Sequence, residues 1–207
     1  MDKNRAFNAY PKLNDLSTHR IYRRSDLNPV WVLIGLNVIL FIVTFATPSL
    51  IVSLGLIPAS FPVRPWSILT SLFLHGSIGH ILGNMITLYF FGRYLRSLVG
   101  DKKFLIIYFI GGILGSIFYI LLAPPLSIAI GASGAVFAVG GVLAVMRPKL
   151  RVLVFPIPIP VPLWAAVVGG FVIISFFPNV AWQAHLGGLV FGLVTGYFFR
   201  RKERASF

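Results

Sequence analysis

The sequence predicts an all-α membrane protein with six transmembrane helices and both termini cytoplasmic. Three observations predict it. The first is composition: 57% of the 207 residues are hydrophobic, 11% are charged, and the mean hydropathy is +0.87, where a soluble domain carries roughly a quarter charged residues. The second is run length. Several uncharged stretches reach about 17 to 20 residues, enough for a helix to cross a hydrocarbon core. The third is where the cations lie. Of eighteen Lys and Arg, six precede the first apolar run, one lies in loop 1, four in loop 2, three in loop 4 and four follow the last run; loops 3 and 5 have none. Seventeen therefore fall on alternate segments, which the positive-inside rule assigns to the cytoplasm. That distribution accounts for the net charge of +13 without nucleic acid.

In chain order, residues 1–28 form a basic cytoplasmic tail suited to anionic lipid. Asp26 and Asn28-Pro29 supply helix-start chemistry, and span 1 covers residues 29–46. It is too long, and lacks a small-residue cleavage site, for a removable signal peptide. Its one polar residue, Asn37, is expected to hydrogen-bond between helices. Residues 47–77 form a long apolar loop. Pro58, Pro62 and Pro65 forbid one continuous helix there. Short helical pieces in the outer interface, anchored by Trp66, are expected instead.

Span 2 covers residues 78–94 and is followed by a charged turn with Arg93, Arg96, Asp101, Lys102 and Lys103. Span 3 covers 104–122, where Gly111, Gly112 and Gly115 permit close packing, and Pro124-Pro125 ends it. Span 4 covers 131–146 and stops at Arg147-Pro148. Residues 147–162, with the run Pro156-Ile157-Pro158-Ile159-Pro160, are expected to be a rigid extended linker. Span 5 covers 163–177, Pro178-Asn179 makes a turn, and span 6 covers 181–199. The expected organisation is a tail at 1–28, one integral domain at 29–199 and a basic tail at 200–207. The short tails argue against a further soluble domain.

Two stretches hold the candidate chemistry. Gly131-Ala132-Ser133-Gly134 opens span 4, and Ala184-His185-Leu186-Gly187-Gly188 opens span 6. Spans 2, 4 and 6 run in one direction, so Ser133, His185, and the pair His80 and Asn84 of span 2 share a depth near the outer face. His80 and Asn84, at i and i+4, share a helix face. His185, Gly188, Gly192 and Gly196 form one stripe on span 6, and Ser133, Gly140 and Ala144 form another on span 4. Small-residue stripes let membrane helices approach closely. A serine hydroxyl becomes a nucleophile when a base takes its proton, and neutral imidazole suits that role. The developing oxyanion needs fixed donors. Partner-free N–H groups at the start of span 4 can supply them, with Asn84 and His80 adding side-chain donors. Phe137, one turn after Ser133, is placed to wall the imidazole.

The acids are Asp2, Asp15, Asp26, Asp101 and Glu203, all on expected cytoplasmic segments, so a Ser-His dyad without an acidic third member is predicted. Cysteine is absent, which excludes disulfides, thiolate metal sites and a Cys nucleophile. The pair His75 and His80 lacks a nearby carboxylate or thiolate and is a poor metal-ligand set. No metal and no cofactor is expected, and His75 reads as part of a structural polar cluster tying loop 1 to span 2.

Together these residues resemble the rhomboid family of intramembrane serine proteases, specifically its prokaryotic six-helix type. The likeness rests on Gly131-Ala132-Ser133-Gly134, on His185 with Gly188-xxx-Gly192, and on His75-xxxx-His80-xxx-Asn84, and it covers residues 29–199. It implies a rhomboid-like bundle with a membrane-inserted loop 1, Ser133 as nucleophile and His185 as general base. It implies an oxyanion hole of Asn84, His80 and the Ser133 N–H, with Phe137, Gly131 and Gly188 in support. It also implies single-span membrane proteins as substrates, cut near the outer end of a locally unwound helix. Two positions depart from the family. Many relatives carry Trp-Arg in loop 1, an Arg linked to loop packing, where this chain has Trp66-Ser67. Many carry Tyr where Phe137 stands, so the ring is kept and the hydroxyl is lost.

Gly131-x-Ser133-Gly134 alone is weak, because small residues are common in membrane helices; the shared depth, face and residue type strengthen it. A non-catalytic rhomboid-like protein that binds transmembrane clients is the alternative, and the presence of both Ser133 and His185 counts against it. A transporter or channel predicts repeats and intramembrane charges, and the span interiors offer neither. The expected partners are transmembrane substrates and the lipid bilayer, with no nucleic acid. A prokaryotic cell membrane, with the active site facing outward, is the simplest location; a eukaryotic organelle is the alternative.

Overall fold

A computed structural model describes residues 27–154 and 159–205, the side chains of 203–205 excepted. The expected tail at 1–28 lies almost wholly outside the described residues, as do residues 206–207. Each of the six apolar segments anticipated above is helical. Helix α1 is Pro29–Ala46, starting where Asn28 Oδ1 accepts from Val30 N–H. The loop 1 pieces follow: α2 (Ser49–Leu54), a 3-10 turn at Pro58–Val63, α3 (Ser67–Thr70) and a 3-10 turn at Ser71–Phe73. Then come α4 (Ile78–Thr87), a π turn at Leu88–Gly92, α5 (Arg93–Val99), α6 (Asp101–Leu122), α7 (Ser133–Met146), α8 (Leu163–Ser175) and α9 (Trp182–Ala205). On length and composition alone, α1 and α6 can cross a membrane, whereas α7 and α8 are apolar but shorter.

Several features differ from the sequence expectation, beginning with α8, which ends at Ser175 and not at residue 177, and α9, which starts at Trp182 and not at residue 181. The charged turn after span 2 shrinks to Gly100, whose φ of +83° suits glycine. Arg96 closes that turn with two bonds to Asp101, Nε to Oδ1 at 2.6 Å and Nη2 to Oδ2 at 3.1 Å, so helix resumes three residues early. Span 4 begins as helix at Ser133, not residue 131, because Gly131 has a φ of +127°. The segment after α7 is not a plain linker: β1 (Arg151–Val152) pairs antiparallel with β2 (Val161–Pro162). Helix α9 runs through the basic residues to Ala205. Asn37 meets its expected interhelical role only in part. Its amide donates to the Leu33 carbonyl of its own helix at 2.7 Å, and the Tyr108 hydroxyl of α6 lies beside it.

Helix α7 is the centre of the molecule, with eleven of its fourteen residues buried. Against α9 it packs almost backbone to backbone. A Cβ on Gly188 would land on the Gly134 carbonyl, one on Gly192 on the Ala138 carbonyl, and one on Gly196 on the Val142 carbonyl. The α9 stripe is therefore the expected one, but its partner on α7 is Gly134, Ala138 and Gly141. Gly140 faces Val167 of α8 and Phe91 instead. Ser133 flanks the seam and reaches across it with its side chain. On α6, a Cβ at Gly111 would meet Ala138, one at Gly112 would meet Leu72 and one at Gly115 would meet the Ala184 carbonyl, so these glycines do bring α6, loop 1, α7 and α9 together.

Loop 1 is tied by side chains that close the end of α2. Its last three carbonyls each gain a donor: Arg64 Nη1 to Val52 O at 2.8 Å, Trp66 Nε1 to Ser53 O at 3.2 Å and Thr70 Oγ1 to Leu54 O at 2.6 Å. Helix C-terminal carbonyls need such partners. Ser67 Oγ donates back to the Arg64 carbonyl at 2.7 Å. Backbone bonds join this loop to the segment before α7: Leu56 N to Ala129 O at 3.0 Å and Gly131 N to Ser71 O at 2.8 Å.

Gly188→Ala is expected to lower thermal stability in detergent by about 1–3 kcal/mol through overpacking, with Gly169→Ala, where a Cβ meets open space, as the unaffected control. Arg64→Ala is expected to cost about 1 kcal/mol and to speed proteolysis within residues 47–77, read by timed digestion and mass spectrometry.

Candidate active site

The site is built where the N-termini of α7 and α9 meet beside the start of α4. Gly131 turns the chain into α7 after binding the Ser71 carbonyl. The first helical hydrogen bond then runs from Val136 N to Ala132 O, so the N–H groups of Ser133, Gly134 and Ala135 point off the helix end with no helical partner. Ser133 Oγ lies 2.7 Å from His185 Nε2, a hydrogen-bond length. The contact depends on the α7–α9 seam, because Ser133 precedes Gly134 and His185 stands one turn before Gly188.

His185 is buried, and its Nδ1 has no hydrogen-bond partner. Its ring lies against Phe137, 4.9 Å between centroids and inclined 34°, and Phe137 in turn packs edge-on against Phe171 of α8 at 6.0 Å. The imidazole is thus oriented by aromatic packing. Among the described residues the one acidic side chain is Asp101, held by Arg96 at the start of α6.

Helix α4 brings the other two candidates. Ser77 Oγ accepts from His80 N–H at 3.2 Å and caps the helix. The His80 ring fills the space beside Gly131. A Cβ on Gly131 would lie 2.7 Å from His80 Nε2 and 3.6 Å from Ser133 Oγ, so glycine is needed for both the turn and the imidazole. Asn84 is buried, and its amide donates to the His80 carbonyl at 3.0 Å; no hydrogen bond links it to Ser133 or His185 here. Its second N–H remains for a ligand. His75, outside the helices, is 1% exposed and its ring meets His80 edge to face at 4.8 Å. Burial first, and His80 second, push its imidazole down to about 3, so the ring is neutral.

Ser133, His185, His80, Gly131 and Phe137 are therefore brought together, Gly188 holds the seam one turn below, and Asn84 stands at the edge. Beside Ser133 is a cavity of about 20 Å³ lined by Ser71, Ser116, Gly131 and Ala184 among others, room for about one water. Sequence reasoning did not single out Ser71, Ser116 or Arg64. The signal available for Arg64 was a lone cation in an apolar loop, where an unpaired charge is costly. No group of three or more His, Cys, Asp or Glu side chains among the described residues is spaced to hold a metal ion.

Comparison with known proteins agrees with this geometry. Residues 62–202 match the Rhomboid domain family. The chain is 29% identical over 202 residues to "Rhomboid protein 1, mitochondrial" of Saccharomyces cerevisiae, covering 87% of this chain and 56% of that protein. It is 30% identical over 143 residues to the YdcA rhomboid protein of Bacillus subtilis, covering 67% and 70%. It is 30% identical over 127 residues to "Inactive RHOMBOID-like protein 8" of Arabidopsis thaliana, covering 60% and 35%. The chain thus spans about half the length of the yeast relative. The expectation of a prokaryotic cell membrane gains no support from a relative named mitochondrial. With a family domain matched across two thirds of its length and these motifs folded against one another, the chain belongs to the rhomboid family of integral membrane proteins.

Proposed function

We propose that the chain is an intramembrane serine endopeptidase that cleaves single-span membrane proteins near the outer end of their transmembrane helix. The observation that carries this reading is the 2.7 Å contact between Ser133 Oγ and His185 Nε2, made between residues fifty-two apart by two helices packed at glycine. A packing serine has no need of a buried imidazole at that distance. Each of the six helical segments crosses the bilayer in this reading, both termini are cytoplasmic, and loop 1 sits in the outer leaflet.

In the reaction, His185 Nε2 takes the Ser133 proton as Oγ attacks the scissile carbonyl carbon. The oxyanion is met by the N–H groups at the start of α7, by Asn84 and by His80, in a site shielded from bulk water where such donors act strongly. Protonated His185 then passes its proton to the leaving amine, and the acyl-enzyme is released by water entering through the polar side of the site. His185 works without a carboxylate partner, and Phe137 keeps its ring in the plane that faces Ser133. Water must reach the acyl group, and the cavity beside Ser133 has room for it.

The client-binding alternative is favoured by one observation only, a relative whose name begins with Inactive. The two readings separate with a fluorophosphonate probe applied to the protein in mild detergent. Labelling is expected at Ser133 by peptide mass spectrometry, and is expected to vanish in Ser133→Ala and His185→Ala proteins that keep the wild-type melting temperature. A folded wild-type protein that takes no label makes Ser133 a packing residue. Asn84→Ala is expected to slow cleavage of a transmembrane reporter by about 10²–10³ if Asn84 is a main oxyanion donor. An unchanged rate moves that role to His80 and the backbone.

A further inference from the structure

His75 is almost wholly enclosed, 1% exposed, yet neither ring nitrogen makes a well-formed hydrogen bond. A buried imidazole with unmet polar atoms is costly, and a phenyl or leucyl side chain would fill the same space without that cost. Its ring lies near the Phe73 backbone and meets His80 edge to face, centroids 4.8 Å apart and planes at 66°. His80 itself is fixed at its backbone, by Ser77 Oγ and by the Asn84 amide. No hydrogen bond from either group reaches its ring. The ring is held by packing, between the His75 ring on one side and Gly131 on the other, with Nε2 on the Gly131 side. Freed to turn about its side-chain bonds, that ring would carry Nε2 away from Ser133.

We propose that His75 is a positioning residue that holds the His80 imidazole edge-on, so that His80 Nε2 stays beside Gly131 and the Ser133 hydroxyl. The inference rests on Ser133 as the activated serine and on His80 as a donor to the oxyanion. It gives loop 1 a part in the chemistry, because His75 sits at the end of that loop and couples its packing to a ring in the site. Edge-to-face aromatic contacts contribute modestly, so losing this one should slow the reaction at Ser133 by about three- to tenfold without abolishing it.

The test is the rate of fluorophosphonate labelling at Ser133 in the full chain in detergent, with melting temperature recorded for every variant. His75→Ala is expected to slow labelling about three- to tenfold. In the His80→Ala background the same change is expected to add nothing, since no ring remains to be held. His75→Phe, which keeps the aromatic edge, is expected to retain most of the rate, and His75→Leu, of similar bulk without a ring, to behave as His75→Ala. A melting temperature lowered alike by both Ala changes, with equal slowing in the presence and absence of His80, overturns the proposal and leaves His75 a packing residue. His75→Phe as slow as His80→Ala overturns it too, and serves if the Ala and Leu variants do not fold. Wild-type labelling unaffected by His80→Ala removes the ring that is to be positioned. A wild-type protein that takes no label defeats the serine reading itself, whatever the His75 variants do.

Discussion

The backbone contact between α7 and α9 is what the rest of the molecule depends on. Gly188, Gly192 and Gly196 leave no side chain between their helix and the carbonyls of Gly134, Ala138 and Val142. In lipid there is little hydrophobic gain from joining two apolar helices, so close packing and its dispersion contacts must supply the attraction. The same closeness brings a serine and a histidine, each a short side chain, to hydrogen-bonding distance. Helices at an ordinary 8–10 Å spacing with larger residues between them would hold those groups apart.

Around that seam, polar atoms are dealt with locally. Asn37, Thr44, Thr87 and Ser175 each return a hydrogen bond to a carbonyl of their own helix. In loop 1, which is too irregular to satisfy itself, Arg64, Trp66 and Thr70 complete the end of α2. Among the described residues, the buried polar atoms without a well-formed hydrogen bond are both ring nitrogens of His75 and Nδ1 of His185 at the site, and Asn37 Oδ1 and the Tyr108 hydroxyl between α1 and α6. An active site keeps such capacity because its partner is the substrate or the transition state, while elsewhere an unmet polar atom is only a cost.

In the proposed dyad, aromatic packing around His185 stands where an acid would otherwise orient the ring. A carboxylate would fix the imidazole through a hydrogen bond to Nδ1, at the expense of burying a charge in an apolar bundle. Phe137 and Phe171 constrain the same ring by shape alone. Phe137 offers this stacking surface without a hydroxyl.

Much was legible in the sequence because lipid imposes long apolar runs and an alternation of cations that a single chain displays directly. Six helical segments, their order, the pairing of Ser133 with His185 and the glycine stripe of α9 follow from period and composition. What the sequence left open was phase and closure. It offered Ser133, Gly140 and Ala144 as the contact stripe of α7, but the helix starts at Ser133 behind a left-handed Gly131, and the seam falls on Gly134, Ala138 and Gly141. It did not show that Arg64 completes the end of α2, that residues 151–152 pair with 161–162, or that the His75 ring meets His80 edge to face. Those depend on contacts between residues distant in the chain. Hydrophobic period fixes which face of a helix is apolar, but the neighbour it meets is decided only when the helices pack against one another.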